Sequence, residues 1–217
     1  MQDGSDFLVR FVIFILVLNL LVMSRDNRCI KDENGKDVWE VRSTVVIPIV
    51  FKLDEKTGDL YTLVEQRGQA VTHTGEWCCP CGFLGWDETL EEACQREVKE
   101  ETGLELNLKD IAFYKVSTNK YEEKQTVDHW YICVANHDQD FNIYGVETRD
   151  EIMNLQWLKV AKIYRVDYVL FKRTKMVVYQ KSIENCYGTW AFKSHPKMIM
   201  EMLKYLIQKD QIKIVYE

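Results

Sequence analysis

The chain has 217 residues, of which 47% are hydrophobic and 29% are charged, and its net charge at pH 7 is −6. This composition is typical of a globular protein that is long enough to bury a core, so it excludes general disorder. The acidic balance provides no overall attraction to nucleic acid. The seven cysteines have no regular spacing, which favours reduced thiols in a cytoplasmic protein over a disulfide framework.

The N-terminal part of the chain contains an apolar segment, residues 7–23, in which Arg10 and Asn19 are polar. The segment is slightly shorter than the roughly 20 residues that a spanning helix needs, and it lacks the positive start and cleavage site of a signal peptide. Basic residues follow it, so an inserted anchor would leave the rest of the chain in the cytoplasm. Two interpretations remain open: residues 1–23 are a membrane anchor, or they are a dispensable leader before a domain that covers residues 24–217.

Strands are predicted along most of the remaining chain. Residues 43–53 are β-branched and apolar, which predicts a buried strand with Pro48 near an edge or a bulge. A second strand ends at Gly68, and a third, short strand is predicted in "GEWCCPCG". Later strands are predicted at residues 111–121, 125–135 and 152–160.

Two helices complete the pattern. Residues 90–102 begin with a capping-box pair, Thr89 and Glu92, and Gly103 stands where a C-terminal glycine cap belongs. The last helix is predicted at about residues 196–209, with proline in its first turn. Strands combined with two main helices predict an α/β fold, in which helices cover a sheet.

The face of the first helix that should be apolar carries two carboxylates. At about 100° per residue, Glu97 and Glu101 share a stripe with Leu90 and Cys94, and Glu100 borders it. Carboxylates four residues apart repel each other, and removing either from water is costly. The helix alone leaves two interpretations open: a site for a divalent cation such as Mg²⁺ or Mn²⁺, or a solvated acidic face.

The spacing of residues 82–104 indicates which interpretation applies. These residues carry Gly-x5-Glu-x7-Arg-Glu-Val-x-Glu-Glu-x-Gly-Leu, which resembles the Nudix box at all of its fixed positions. The flanking strands, Trp157 and the run "WAFKSH" are also similar to the wider Nudix domain, over about residues 40–210. The resemblance implies an α/β/α sandwich with a mixed sheet. It also implies a Mg²⁺-dependent hydrolase, with Mn²⁺ as an alternative ion, that splits a pyrophosphate bond in a nucleoside diphosphate linked to another group.

The resemblance implies a set of metal ligands. Glu97 and Glu101 would be the principal ligands, and Glu100 would be a further ligand or a close support. The backbone carbonyl of Cys81, just before the first glycine of the box, would be another ligand.

Four more residues of the box are implied to support this set. Arg96 would orient the glutamates by ion pairing, and Glu88 would support the network around the metal. Gly82 would open the loop before the helix, and Gly103 would cap the helix at its end.

Candidates for the general base and for substrate binding are predicted as well. The first candidate for the general base is a box glutamate. The second is Glu151, from a loop that also offers Glu147 and Asp150. Arg67, at the end of the second strand, is a candidate for binding a substrate phosphate. Tyr121 resembles the tyrosine of dinucleoside-polyphosphate hydrolases by its distance from the box.

Other classes of function are less favoured. The run "WCCPCG" resembles a thioredoxin-type motif, but a loop follows it instead of a helix, and no second group of ligands stands at zinc spacing. A ligand-sensing Nudix module would be expected to lose box glutamates, and all are present here. Residues 159–181 are basic and could bind an RNA backbone, which leaves an RNA-cap hydrolase as an alternative to an enzyme for small nucleotides.

Overall fold

The protein is described here from a computed structural model, which describes residues 28–35, 37–40, 42–118, 126–142, 144, 146, 150–166, 174–179 and 189–208. These residues fall into two compact units, one up to Arg42 and one from Ser43 onward. In the first unit, strands β1 (Arg28–Lys31) and β2 (Asp37–Glu40) pair antiparallel. The apolar segment 7–23 lies outside the described residues. Within the described part of the chain, no helix has the length and apolar character needed to cross a membrane.

The second unit is built on a mixed sheet. Its strands are β3 (Thr44–Asp54), β4 (Asp59–Arg67), β5 (Trp77–Cys78), β6 (Gly82–Phe83), β7 (Ile111–Thr118), β8 (Val127–Val134), β9 (Ile152–Val166) and β10 (Thr174–Tyr179). The order across the sheet is β10-β9-β4-β3-β8-β7, with β5 paired to β4 and β6 paired to β3. Strands β3 and β8 are parallel, and the other pairs are antiparallel.

Two helices cover the two faces of this sheet. They are α1 (Leu90–Thr102) and α2 (Ser194–Gln208), and a single 3-10 turn covers Leu108–Asp110. Side chains alternate along β3, so this strand contributes to both cores. Ile47, Ile49 and Phe51 pack in one cluster with Ile199, Met202 and Leu203 of α2, whereas Val46 and Val50 pack in the other with Ala93 and Val98 of α1. The predicted α/β sandwich is confirmed.

The ends of α1 are those that the sequence predicts. The Thr89 side chain accepts a hydrogen bond from the Glu92 amide, the Glu92 side chain accepts one from the Thr89 amide, and Gly103 has a φ of 68°. These caps satisfy backbone groups that the helix itself leaves unpaired. They define where the helix begins and ends.

Two features of the sheet differ from the sequence prediction. Strand β9 continues to Val166, and its last residues pair with β10 within the basic segment 159–181. Basic residues dilute the apolar pattern of this segment, so only backbone pairing identifies it as a hairpin. Pro48 lies in an interior strand and not at an edge: it pairs with Tyr131 of β8, while the ladder from β3 to β4 begins only at Phe51. Its missing N–H is tolerated because no partner faces it on that side.

The cysteines that the structure describes are free thiols, as the sequence predicts. Cys79 faces the core under α2, and its amide donates a hydrogen bond of 3.0 Å to Nδ1 of His195, which is only 2% exposed. Burial, and then the nearby charge of Arg67, lowers the pKa of His195 to about 3. His195 is thus a neutral acceptor that attaches α2 to the residue that follows the short strand β5.

We expect His195 to make the fold sensitive to acid. The pKa of His195 is about 3 in the folded chain against an ordinary 6.5, so the unfolded chain takes up this proton first as the pH falls below 6.5. The stability contributed by the neutral ring is therefore complete above pH 6.5. About 2 kcal/mol of it should be lost by about pH 5, since each pH unit corresponds to about 1.4 kcal/mol.

The variant His195→Asn keeps an acceptor for the Cys79 amide but does not titrate. Its free energy of unfolding is measured with urea above pH 6.5 and again at about pH 5. Between these two conditions it should fall by less than that of the natural chain. Equal losses in the two proteins would contradict the assignment of the acid sensitivity to His195.

Candidate metal and catalytic site

Helix α1 presents two carboxylates to the interior of the protein. Glu97 is 8% exposed and Glu101 is 6% exposed, on the same face as the buried Ala93 and Val98. The alternative of a solvated acidic face is therefore wrong for these two residues. Burial raises the pKa of Glu97, against an opposing effect of Arg96. Burial and then repulsion from Glu65 raise the pKa of Glu101 well above its usual range.

Arg96 joins three carboxylates of the box. It binds Glu88 with two hydrogen bonds, of 2.9 Å from Nε and 2.7 Å from Nη2. Its Nη1 donates to Glu97 at 2.6 Å and to Glu100 at 3.0 Å. Nη2 also donates to the backbone oxygen of Phe83, at 3.0 Å. One guanidinium therefore attaches the loop before α1 to the glutamates on α1, and its hydrogen bonds keep the pKa of Glu88 low.

The backbone at Cys81 and Gly82 lies directly against the buried glutamates. The Cys81 amide donates to Glu101 Oε2 at 2.9 Å. A Cβ atom at Gly82 would overlap the carboxylate of Glu97, so any larger residue would displace that carboxylate from its present position. The loop is thus in contact with both principal glutamates through its main chain.

Glu65 is a third carboxylate in this region, and the sequence analysis did not identify it. It lies on β4 and is fully buried, and its Oε1 accepts a hydrogen bond of 3.1 Å from the Cys78 thiol. Its Oε2 accepts no hydrogen bond from an N–H group or hydroxyl of the described residues, and its carboxyl group interacts with that of Glu101. Burial raises the pKa of Glu65 to about 7. The signal in the sequence is its position two residues after Leu63, on the strand face that packs under α1.

These carboxylates suit a divalent cation in their chemistry. Three buried carboxyl groups with raised pKa values are costly to ionise unless a positive charge neutralises them. Hard oxygen ligands of this kind are those preferred by Mg²⁺ and Mn²⁺. Among the described residues, no group of three or more His, Cys, Asp or Glu side chains is placed to hold a metal ion by itself. A bound cation would therefore need further oxygen ligands, and for Mg²⁺ these are commonly water and substrate phosphates.

Arg67 lies at the end of β4, between this region and a cavity of about 460 Å³. Its Nε donates to the Thr72 backbone oxygen at 2.7 Å, and Nη1 lies 3.7 Å from the Cys78 sulfur. The guanidinium carbon is 5.3 Å from the centre of the Phe192 ring. Arg67, Cys81 and Gly82 all line the cavity, so the predicted phosphate-binding arginine and the loop before α1 share one space.

The other predicted residues are placed as follows. Glu151 is exposed, and its backbone oxygen accepts a 2.5 Å hydrogen bond from the amide of Gly68, which follows β4. Asp150 contacts the same turn, since its backbone oxygen accepts from Ala70 at 3.0 Å. The loop before β9 is therefore adjacent to the end of β4. Tyr121 and Glu147 lie outside the described residues.

Comparison with known proteins identifies the family. The model of the NUDIX domain family matches residues 42–180. Nudix hydrolase 8 from Arabidopsis thaliana is 28% identical over 124 residues, which are 57% of this chain and 31% of that protein. The nucleoside triphosphatase NudI from Enterobacter sp. (strain 638) is 26% identical over 150 residues, which are 64% of this chain and 96% of that protein. The chain thus spans about a third of the length of the plant relative.

Solved structures show the same fold. A MutT/nudix family protein from Enterococcus faecalis superimposes with a TM-score of 0.60 at 18% identity, over 79% of this chain and 64% of that one. A bifunctional NMN adenylyltransferase/ADP ribose pyrophosphatase from Francisella tularensis, complexed with AMP and a manganese ion, gives a TM-score of 0.52 at 19% identity, over 94% of this chain and 50% of that one. The family match covers more than half of the chain and includes the whole segment with the buried glutamates, so this protein belongs to the Nudix family.

Proposed function

We propose that the protein is a Mg²⁺-dependent Nudix hydrolase that cleaves a pyrophosphate bond in a nucleotide or nucleotide derivative. The observation that supports this most strongly is the pair Glu97 and Glu101, buried on α1 and in contact with the loop at Cys81 and Gly82. Carboxylates in that position destabilise the fold unless they serve a cation. The relatives support the reaction class, since one is named a nucleoside triphosphatase and another an ADP ribose pyrophosphatase.

The cation would be held by Glu97, Glu101 and Glu100, together with the backbone carbonyl of Cys81. When bound, a divalent cation would neutralise phosphate charge and make a water molecule more acidic. Mn²⁺ has the same preference for hard oxygen ligands and is a plausible substitute. Arg96 would keep three carboxylates of the box in place, because it binds Glu88, Glu97 and Glu100 at once.

A carboxylate would also accept the proton that the reaction releases. Attack of water on phosphorus releases a proton, and a positioned base contributes roughly 10²–10⁴-fold to such a rate. A glutamate of the box is the first candidate for this base. Glu151 is the second, since the loop that carries it contacts the turn after β4. Arg67 would bind a phosphate group of the substrate from the wall of the cavity.

Replacing Glu101 with Gln is expected to remove most of the activity. The change keeps the size of the side chain but removes the charge that would bind the cation, so kcat should fall by about 100-fold or more. Turnover is measured as release of phosphate or nucleotide from ADP-ribose, NADH, dinucleoside polyphosphates, nucleoside triphosphates, nucleotide sugars and capped RNA. Glu55→Gln, in an exposed turn, is the matched control and should keep full activity. Full turnover by the Glu101 variant with Mg²⁺ would refute the assignment.

Binding of a nucleotide by the natural chain without any turnover would favour the ligand-sensing module.

Cation binding can be tested without turnover. A cation that binds only the folded chain stabilises it by about 2.7 kcal/mol at a concentration about 100 times its Kd. Mg²⁺ or Mn²⁺ should therefore raise the Tm of the natural chain and of the Glu55→Gln control. The Glu97→Gln and Glu101→Gln variants should show a much smaller rise, because each lacks a ligand charge. An equal rise in all four proteins would place the cation elsewhere.

A further inference from the structure

The cavity beside the carboxylates is lined by two chemically different groups of residues. Cys81 and Gly82 line it where their backbone contacts Glu101 and Glu97. Thr126 and Asp128, from the beginning of β8, line the cavity as well. Its volume of about 460 Å³ is within the usual range for small-molecule sites. A substrate with its phosphates at the glutamates would therefore place its remaining part in this space.

The apolar part of the lining favours a flat, apolar group. Val45 and Ile47 of β3 and the ring of Phe192 line the cavity, and Val45 is the direct neighbour of Asp128 in the parallel ladder. His73 meets the Phe192 ring edge to face, with ring centres 5.7 Å apart. A purine ring can cover such walls, whereas a sugar would bring hydroxyl groups against them without partners.

Asp128 is a carboxylate on the strand face that is otherwise apolar. Trp130 and Ile132, two and four residues further along β8, are buried on the same face and pack in the core under α2. The side chain of Asp128 is half-buried, and the Thr126 hydroxyl donates to its Oδ1 at 2.5 Å. That hydrogen bond orients the carboxylate at the wall of the cavity. An ionised carboxylate offers two acceptor oxygens and no donor.

We propose that Asp128 selects a guanine base in this cavity, which deepens the proposed function and rests on it. Guanine carries two adjacent donors, N1–H and the 2-amino group, and these match the two oxygens of one carboxylate. Adenine places the acceptor N1 beside its amino group, cytosine places the acceptor N3 there, and uracil has a single donor between two carbonyls. Each of these bases would bring an acceptor towards Asp128. The substrate class is therefore a guanine nucleotide or a derivative of one.

Binding of nucleoside monophosphates to the full chain, measured by calorimetry in EDTA, tests the proposal without metal or turnover. GMP should bind about tenfold more tightly than AMP, and also more tightly than IMP, which lacks only the 2-amino group. Asp128→Asn replaces one acceptor with a donor, so the ratio of GMP to IMP affinity should fall towards one. Thr126→Val, which removes the orienting hydroxyl, should lower the ratio by a smaller factor. Asp138→Asn makes the same charge change in an exposed turn and should leave the ratio unchanged.

Three results would overturn the proposal: equal binding of the three nucleotides, an unchanged ratio in a folded Asp128→Asn variant, or competition by ribose 5-phosphate as strong as that by GMP. The ratios in the natural chain decide the question even if a variant does not fold.

Failure of the proposed function is a different result. Guanine preference in EDTA without any turnover in Mg²⁺ would refute the hydrolase and support base selection by Asp128. Equal turnover of nucleotides with all bases would support the hydrolase and refute base selection by Asp128.

Discussion

The burial of carboxylates between α1 and the sheet is the constraint on which the rest of this structure depends. Glu97, Glu101 and Glu65 occupy positions that would stabilise the fold far more if they were apolar. Their pKa values are raised because the surroundings exclude water. The fold tolerates this loss of stability because packed apolar side chains fill the rest of both faces of the sheet.

Several neighbouring features follow from that constraint. Arg96 is needed because side-by-side carboxylates otherwise repel each other, and its planar group can bind more than one of them. Gly82 is needed because β6 passes so close to Glu97 that an added side chain would displace its carboxylate. The caps of α1 satisfy the backbone groups at its two ends and so define which residues of the box are helical. Arg96, Gly82 and Gly103 belong to the sequence pattern because each meets one physical requirement of this arrangement.

The sequence predicts those parts of the protein whose causes are local. The bounds of α1 follow from Thr89, Glu92 and Gly103, and the inward direction of Glu97 and Glu101 follows from helical geometry. Glu65 depends on which strand lies beneath α1, which is a contact between distant residues. The pairing of β9 with β10 falls where basic residues dilute the apolar pattern, so neither feature could be derived from local pattern. The same holds for Asp128. Its place in the cavity results from the parallel pairing of β8 with β3, which joins segments about eighty residues apart in the sequence.

The hydrogen bond from Cys79 to His195 has a consequence for dynamics. Cys79 belongs to the short run that continues to Cys81, whose amide binds Glu101, so α2 and the carboxylates are connected through three consecutive residues of backbone. Local opening of a helix at the end of a domain is commonly less costly than global unfolding. Here such an opening would remove the acceptor that holds Cys79 and loosen the loop against α1. Exchange of the Cys79 and Cys81 amides with solvent is therefore expected to proceed as one cooperative event, with α2 and the glutamate loop as a single unit of local stability.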